Sequence, residues 1–83
     1  MTFGEALEKA KQGHKITRKN WNGKGQYVCV ADNFSFSLNG QIINADHNTL
    51  GNKALVFFGT SGIQVGWLAS QADMLSEDWE VLE

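Results

Sequence analysis

Apolar residues recur along the first dozen positions at helical spacing. Phe3, Ala6, Leu7 and Ala10 share one face, the recurrence that 3.6 residues per turn produces. Thr2 and Glu5 stand at capping-box spacing, where hydroxyl and carboxylate each satisfy an orphan backbone amide. Lys9 and Lys11 complement the C-terminal end of the helix dipole, and Gly13 is a natural stop. The pattern predicts a helix over residues 2–12.

The period then changes to that of strands. Residues 14–18 read as a short strand with Ile16 inward, and residues 26–31 (QYVCVA) as a strand buried on both faces. Phe34, Phe36 and Leu38 alternate with serines, so residues 34–38 form a strand with one wet face. Asn39-Gly40 is the preferred type I′ hairpin pair, and residues 41–43 return. Residues 44–53 are polar and aperiodic, a loop expected to be mobile or to carry a family-specific insertion. Residues 54–58 and 63–67 make a second hairpin about Gly59-Thr60-Ser61-Gly62. Ser70 and Asp73 again stand at capping-box-like spacing before a short helical turn over residues 70–75. Residues 79–82 close as a strand with Trp79 and Val81 on one face. The expected class is α+β: one domain over residues 1–83, with five or six mostly antiparallel strands on an N-terminal helix and a short C-terminal helical turn.

Length makes that core small. A chain of 83 residues buries roughly 60–65% of its unfolded surface, and small scaffolds usually add a disulfide, a metal or a subunit interface. Cys29 is the single cysteine and His14 and His47 are isolated, so neither disulfide nor zinc is expected. Self-association remains, and a homo-oligomer is expected. The lone thiol and the lack of a long apolar run point to a soluble protein of a reducing compartment.

Net charge is −2, which argues against a long nucleic-acid partner. Six of the seven basic residues lie in the first 24 positions and five of the nine acidic ones in the last 11. Two solvated faces, ends that neutralise one another, or a local cationic patch would each produce this division. No catalytic constellation stands out. Cys29 sits in an apolar strand, His14 lacks a carboxylate partner, and Asp46-His47-Asn48 is one local cluster. No cofactor is expected, and binding is expected rather than catalysis.

The candidate binding chemistry centres on Trp21, set among polar and glycine residues. It is either a lid packed over the sheet edge or a flat stacking platform. In the second case Arg18, Lys19 and Lys24 lie beside it to meet anionic oxygens, Gly23 and Gly25 let backbone amides approach a phosphate, and Asn22 offers a donor and an acceptor. Trp67, Ser70 and Gln71 form a second cluster at the start of the short helix.

Three blocks together resemble a known family. They are Met1-Thr2-Phe3-Gly4-Glu5-Ala6-Leu7, Thr17-Arg18-Lys19-Asn20-Trp21-Asn22-Gly23-Lys24-Gly25, and the tail W-x-x-S-x-x-D-x-x-x-x-D-W from Trp67 to Trp79. The family is the second type of Thoeris anti-defence protein of phages, first described as a domain of unknown function. The resemblance implies a small tetrameric sponge in the cytoplasm of the infected bacterium. It would sequester cyclic ADP-ribose isomers made by TIR-domain enzymes without cleaving them, and cyclic oligonucleotides in some relatives. It implies that Trp21, Asn22, Gly23 and Lys24 contact the ligand and that Trp67, Ser70, Gln71 and Asp73 line or support a pocket between subunits. Ala69, Asn20 and Gln26 stand where relatives often carry proline, glycine and methionine. A small phage inhibitor that grips a host protein through exposed tryptophans is the alternative.

Overall fold

The computed structural model describes residues 1–48 and 53–82. The expected loop over residues 44–53 is described only in part, since residues 49–52 lie outside the described residues. The chain opens with helix α1 (Phe3–Lys11) and continues through strands β1 (Lys15–Arg18), β2 (Tyr27–Asp32), β3 (Phe36–Leu38), β4 (Gln41–Ile43), β5 (Lys53–Gly59) and β6 (Gly62–Val65). Helix α2 (Gln71–Leu75) and strand β7 (Trp79–Leu82) complete it. Both helices begin with a complete capping box. Thr2 and Glu5 cap α1, and Ser70 and Asp73 cap α2.

Five strands form one antiparallel sheet in the order β6-β5-β2-β1-β7. Cross-strand register sets Val81, Ile16, Val28, Phe57 and Gln64 in one row. Side chains alternate along strands, so this row faces one side, and α1 packs there. Ala6 and Ala10 of the helix join Ile16, Val28 and Trp79 in the buried core. The small alanines let the helix axis approach the sheet. Removing Ile16 or Val28 from water contributes about 1.5–3 kcal/mol each.

Two expectations change. The β3–β4 hairpin forms a separate two-stranded sheet rather than extending the main one. Its turn has the positive φ angles at Asn39 and Gly40 that the type I′ geometry requires. Strand β3 is exposed along its whole length instead of showing one wet face, since its hairpin stands apart from the main sheet and from the helix that covers it. Strand β2 is likewise not buried on both faces: Val28 is fully buried, and the rest are partly or wholly exposed. The cause is the number of layers, since one helix can cover only one face.

The opposite face follows from the same register. Tyr27 pairs with Phe58 and Phe58 with Ile63, while Cys29 pairs with Val56 and Val56 with Val65. Tyr27 and Phe58 stack at 4.7 Å and Lys15 Nζ lies 4.8 Å from the Tyr27 ring centre. Ile63 and Val65 on edge strand β6 are 65% and 60% exposed.

Candidate functional site

The oppositely charged ends of the chain meet. The terminal ammonium of Met1 donates to the carbonyls of Trp79 at 2.8 Å and Glu77 at 3.2 Å. Arg18, at the end of β1, donates through Nη1 to Asp73 Oδ1 at 2.7 Å and through Nε to Asp78 Oδ1 at 2.8 Å. All three side chains are largely withdrawn from water. Asn20 N–H reaches the other Asp78 oxygen at 3.1 Å, which fixes the start of the loop between β1 and β2. The charge division seen in the sequence thus includes a real neutralisation, and Arg18 is committed to two carboxylates.

Asp73 is the hub of this arrangement. As the third residue of α2 it accepts from Ser70 N–H at 3.3 Å, while its own N–H donates to Ser70 Oγ at 3.1 Å. Its Oδ1 also accepts from the Trp21 indole N–H at 3.1 Å, and its carbonyl accepts from the Trp79 indole at 2.8 Å. Burial pushes the Asp73 carboxyl up, but the hydrogen bonds from Arg18, Trp21 and Ser70 outweigh it and hold the group below its ordinary value. Asp78 is held down chiefly by its hydrogen bond from Arg18. Arg18 is raised by the same two partners, Asp78 first. Asp73 therefore stays ionised with its oxygens occupied, which makes it a support rather than a proton acceptor.

Four aromatic rings gather beside this hub. Trp21 meets Phe57, Trp67 and Trp79 edge-on at 5.5, 6.0 and 5.3 Å, the geometry that ring quadrupoles favour. Trp67 lies nearly parallel to Phe57 at 6.1 Å and 20°. Backbone bonds from the N–H groups of Gly66 and Trp67 to the Leu55 carbonyl turn the chain after β6 and bring Trp67 over β5. Trp79 is fully packed into the core, as its alternation with Val81 implied. Trp21 is partly buried, so it combines both sequence readings: it packs over the sheet and presents only part of its ring to the space beside it.

That space is an open cavity of about 270 Å³ lined by Trp21, Asn22, Gln26, Phe57, Trp67 and Asp73. Four of the nine site residues expected from sequence therefore line one cavity: Trp21, Asn22, Trp67 and Asp73. The other five do not line it. Arg18 sits behind Asp73, Ser70 caps α2, and Gln71 is the exposed first residue of that helix. Lys24 is exposed on the loop that carries Asn22. Gly23 faces the Gln26 side chain, which a Cβ at that position would overlap. Sequence reasoning missed Gln26 and Phe57. Gln26 borders the W-N-G-K-G block, a usable signal, but the apolar run of β5 gives no hint which phenylalanine faces the cavity.

Outside the cavity the titratable groups offer little chemistry. Cys29 lies on the opposite face of the sheet, and burial raises its thiol, which keeps it protonated. Among the described residues no three His, Cys, Asp or Glu side chains are grouped to hold a metal. No helix of the described residues is long and apolar enough to cross a membrane.

Comparison with known proteins places these features. The model of the Thoeris anti-defense 2-like domain matches residues 1–82. A curated protein named Thoeris anti-defense 2, from Bacillus phage SP01, is 37% identical over 89 aligned positions, covering 99% of this chain and 94% of its own length. With 82 of its 83 residues inside the matched range, the chain belongs to the Thoeris anti-defense 2-like family.

Proposed function

We propose that this protein is a phage sponge that binds a cyclic ADP-ribose-type immune signal and withholds it, uncleaved, from TIR-derived Thoeris signalling. The observation that carries this reading is the lining of the 270 Å³ cavity. In a member of an anti-defence family, the rings of Trp67 and Phe57 line it together with two amides, Asn22 and Gln26. Aromatic faces hold a base by stacking, worth roughly 1–3 kcal/mol per base, and amides match the edges of bases and sugars. Lys19 and Lys24, exposed on the same loop, would on this reading meet the pyrophosphate. A non-catalytic role is supported by Asp73, the one titratable group lining the cavity among the described residues, whose oxygens are already hydrogen-bonded and whose affinity for protons is lowered.

The working form on this reading is a homo-oligomer, a tetramer with the cavity completed by a neighbouring subunit. Support comes from the small core and from apolar side chains left in water on β6 and the β3–β4 hairpin, among them Ile63, Val65, Leu38 and Ile42. Such surface is what a subunit contact removes from water. The alternative, a host-protein inhibitor, would grip through Trp21 and Trp67, each of which is partly exposed.

Incubation of the protein with cyclic ADP-ribose isomers should deplete the free nucleotide, and heat denaturation should return it chemically unchanged. Recovery of a linear product would make the protein an enzyme. Absence of depletion across the isomers would remove the sponge reading.

A further inference from the structure

The main sheet has two edges, and they are finished differently. On β7, Trp79 gives its backbone N–H to the Met1 carbonyl at 3.1 Å and accepts the Met1 ammonium on its own carbonyl at 2.8 Å. Glu80 adds a charge to the same strand. The opposite edge is β6, which pairs only with β5 among the described residues and is exposed at all four positions. Successive residues of an antiparallel strand turn their backbone N–H and C=O alternately to either side. Two of the four therefore face outward with no strand to meet them. Edges that stay single are blunted by charge, proline or a bulge. Strand β6 has no charge and no proline, and its one-to-one register with β5 leaves no bulge.

The sequence of this edge is close to a palindrome. Gly62-Ile63-Gln64-Val65-Gly66 reads nearly the same in both directions about Gln64. A twofold contact sets residue i against j and j against i. In an antiparallel pair centred on Gln64, Ile63 of one copy meets Val65 of the other, glycine meets glycine, and Gln64 meets Gln64. Strand alternation selects this register. A slip of one residue would set Ile63 against Gln64 and turn the apolar face of one copy onto the polar face of the other. A slip of two keeps the faces but pairs less of so short a strand. Centred on Gln64, the apolar rows Tyr27–Phe58–Ile63 and Cys29–Val56–Val65 continue across the axis. Ile63 and Val65, 65% and 60% exposed, then cover one another, as opposed β-branched pairs do in sheets.

We propose that β6 pairs edge to edge with β6 of a second copy, antiparallel about Gln64, so that two five-stranded sheets continue as one. The partner is a second copy because its strand carries the complementary order: apolar against apolar, glycine against glycine, amide against amide. On the helix-covered side of the sheet, Gln64 borders an open cavity of about 200 Å³ with Phe57 and the Thr60-Ser61 turn. The pairing sets two such cavities side by side, with the two Gln64 side chains between them. This rests on the homo-oligomer reading above, adds the surface and register of one contact, and is independent of which ligand is bound.

The test is disulfide cross-linking of wild type, Gln64→Cys and Thr60→Cys under mild oxidation, read by non-reducing electrophoresis, with light scattering of the wild type at micromolar concentration. Both substituted positions are exposed, and Cys29 stays in place in all three, so wild type reports its background. Opposed residues of an antiparallel pair lie about 4.5–5.5 Å apart between Cα atoms, inside the range a disulfide spans. In the same register Thr60 stands more than about 20 Å from its counterpart. Gln64→Cys should give a covalent dimer at least about tenfold faster than Thr60→Cys or wild type, reversed by reductant. An oligomeric wild type with no such preference for Gln64→Cys would overturn the edge pairing and leave self-association through another surface standing. A monomeric wild type would overturn both readings together.

Discussion

Asp73 offers the sharpest test of how the site is held. Replacing it with alanine removes three side-chain hydrogen bonds at once, from Arg18 Nη1 at 2.7 Å, Trp21 Nε1 at 3.1 Å and Ser70 N at 3.3 Å. A hydrogen bond to a charged group contributes about 1.5–3 kcal/mol, and a buried donor left unmade costs about 1–3 kcal/mol. Loss of the helix-capping contact adds about 0.5–1 kcal/mol. Arg18 keeps Asp78, so the terms do not sum in full, and the expected destabilisation is about 3–5 kcal/mol. A domain of this length has a total stability of about 4–12 kcal/mol, so the variant should lose about a quarter of it or more. Asp73→Asn keeps a carbonyl oxygen for Trp21 and Arg18 and should lose only about 1–2 kcal/mol. Urea unfolding followed by tryptophan fluorescence at fixed protomer concentration separates the two. The reasoning fails if Asp73→Ala costs less than about 1 kcal/mol, or if the asparagine variant is as damaged as the alanine one.

Three other outcomes follow from the same contacts. Asp73 and Asp78 are both depressed in the folded protein, so their contribution is complete above the unfolded carboxyl value of about 4 and is lost as pH falls through the lower folded values. Acid titration of the melting temperature should show that loss, and an Asp73→Asn, Asp78→Asn double variant should flatten it. Ser70→Ala removes the hydroxyl that caps α2 and should cost about 1 kcal/mol, read by the same urea titration; no change would mean the cap is idle. Placing lysine at both Ile63 and Val65, exposed on edge strand β6, should reduce a wild-type oligomer to smaller species in light scattering. A wild type that is already monomeric at micromolar concentration would refute self-association.

The sequence by itself determined the local elements and where they begin. Both capping boxes, the Asn39-Gly40 turn and the inward Ile16 were legible because helix ends, hairpins and alternation depend on neighbours three or four positions away. The W-N-G-K-G block and the C-terminal W-x-x-S-x-x-D block also marked the right regions, since Trp21, Asn22, Trp67 and Asp73 line one cavity.

Only the tertiary structure decided what those residues do. Arg18 looked free to meet an anion, yet it is paired with Asp73 and Asp78, 55 and 60 positions away. Trp21 read as either lid or platform, and three rings from other elements set how much of it remains open. The β3–β4 hairpin left the main sheet, although its local pattern is that of any hairpin. Gln26 and Phe57 entered the site because strand pairing and the empty volumes at Gly23 and Gly59 placed them there. Short-range pattern fixes backbone conformation through a few bonds, while pairing of distant charges and rings depends on which surfaces the fold brings together.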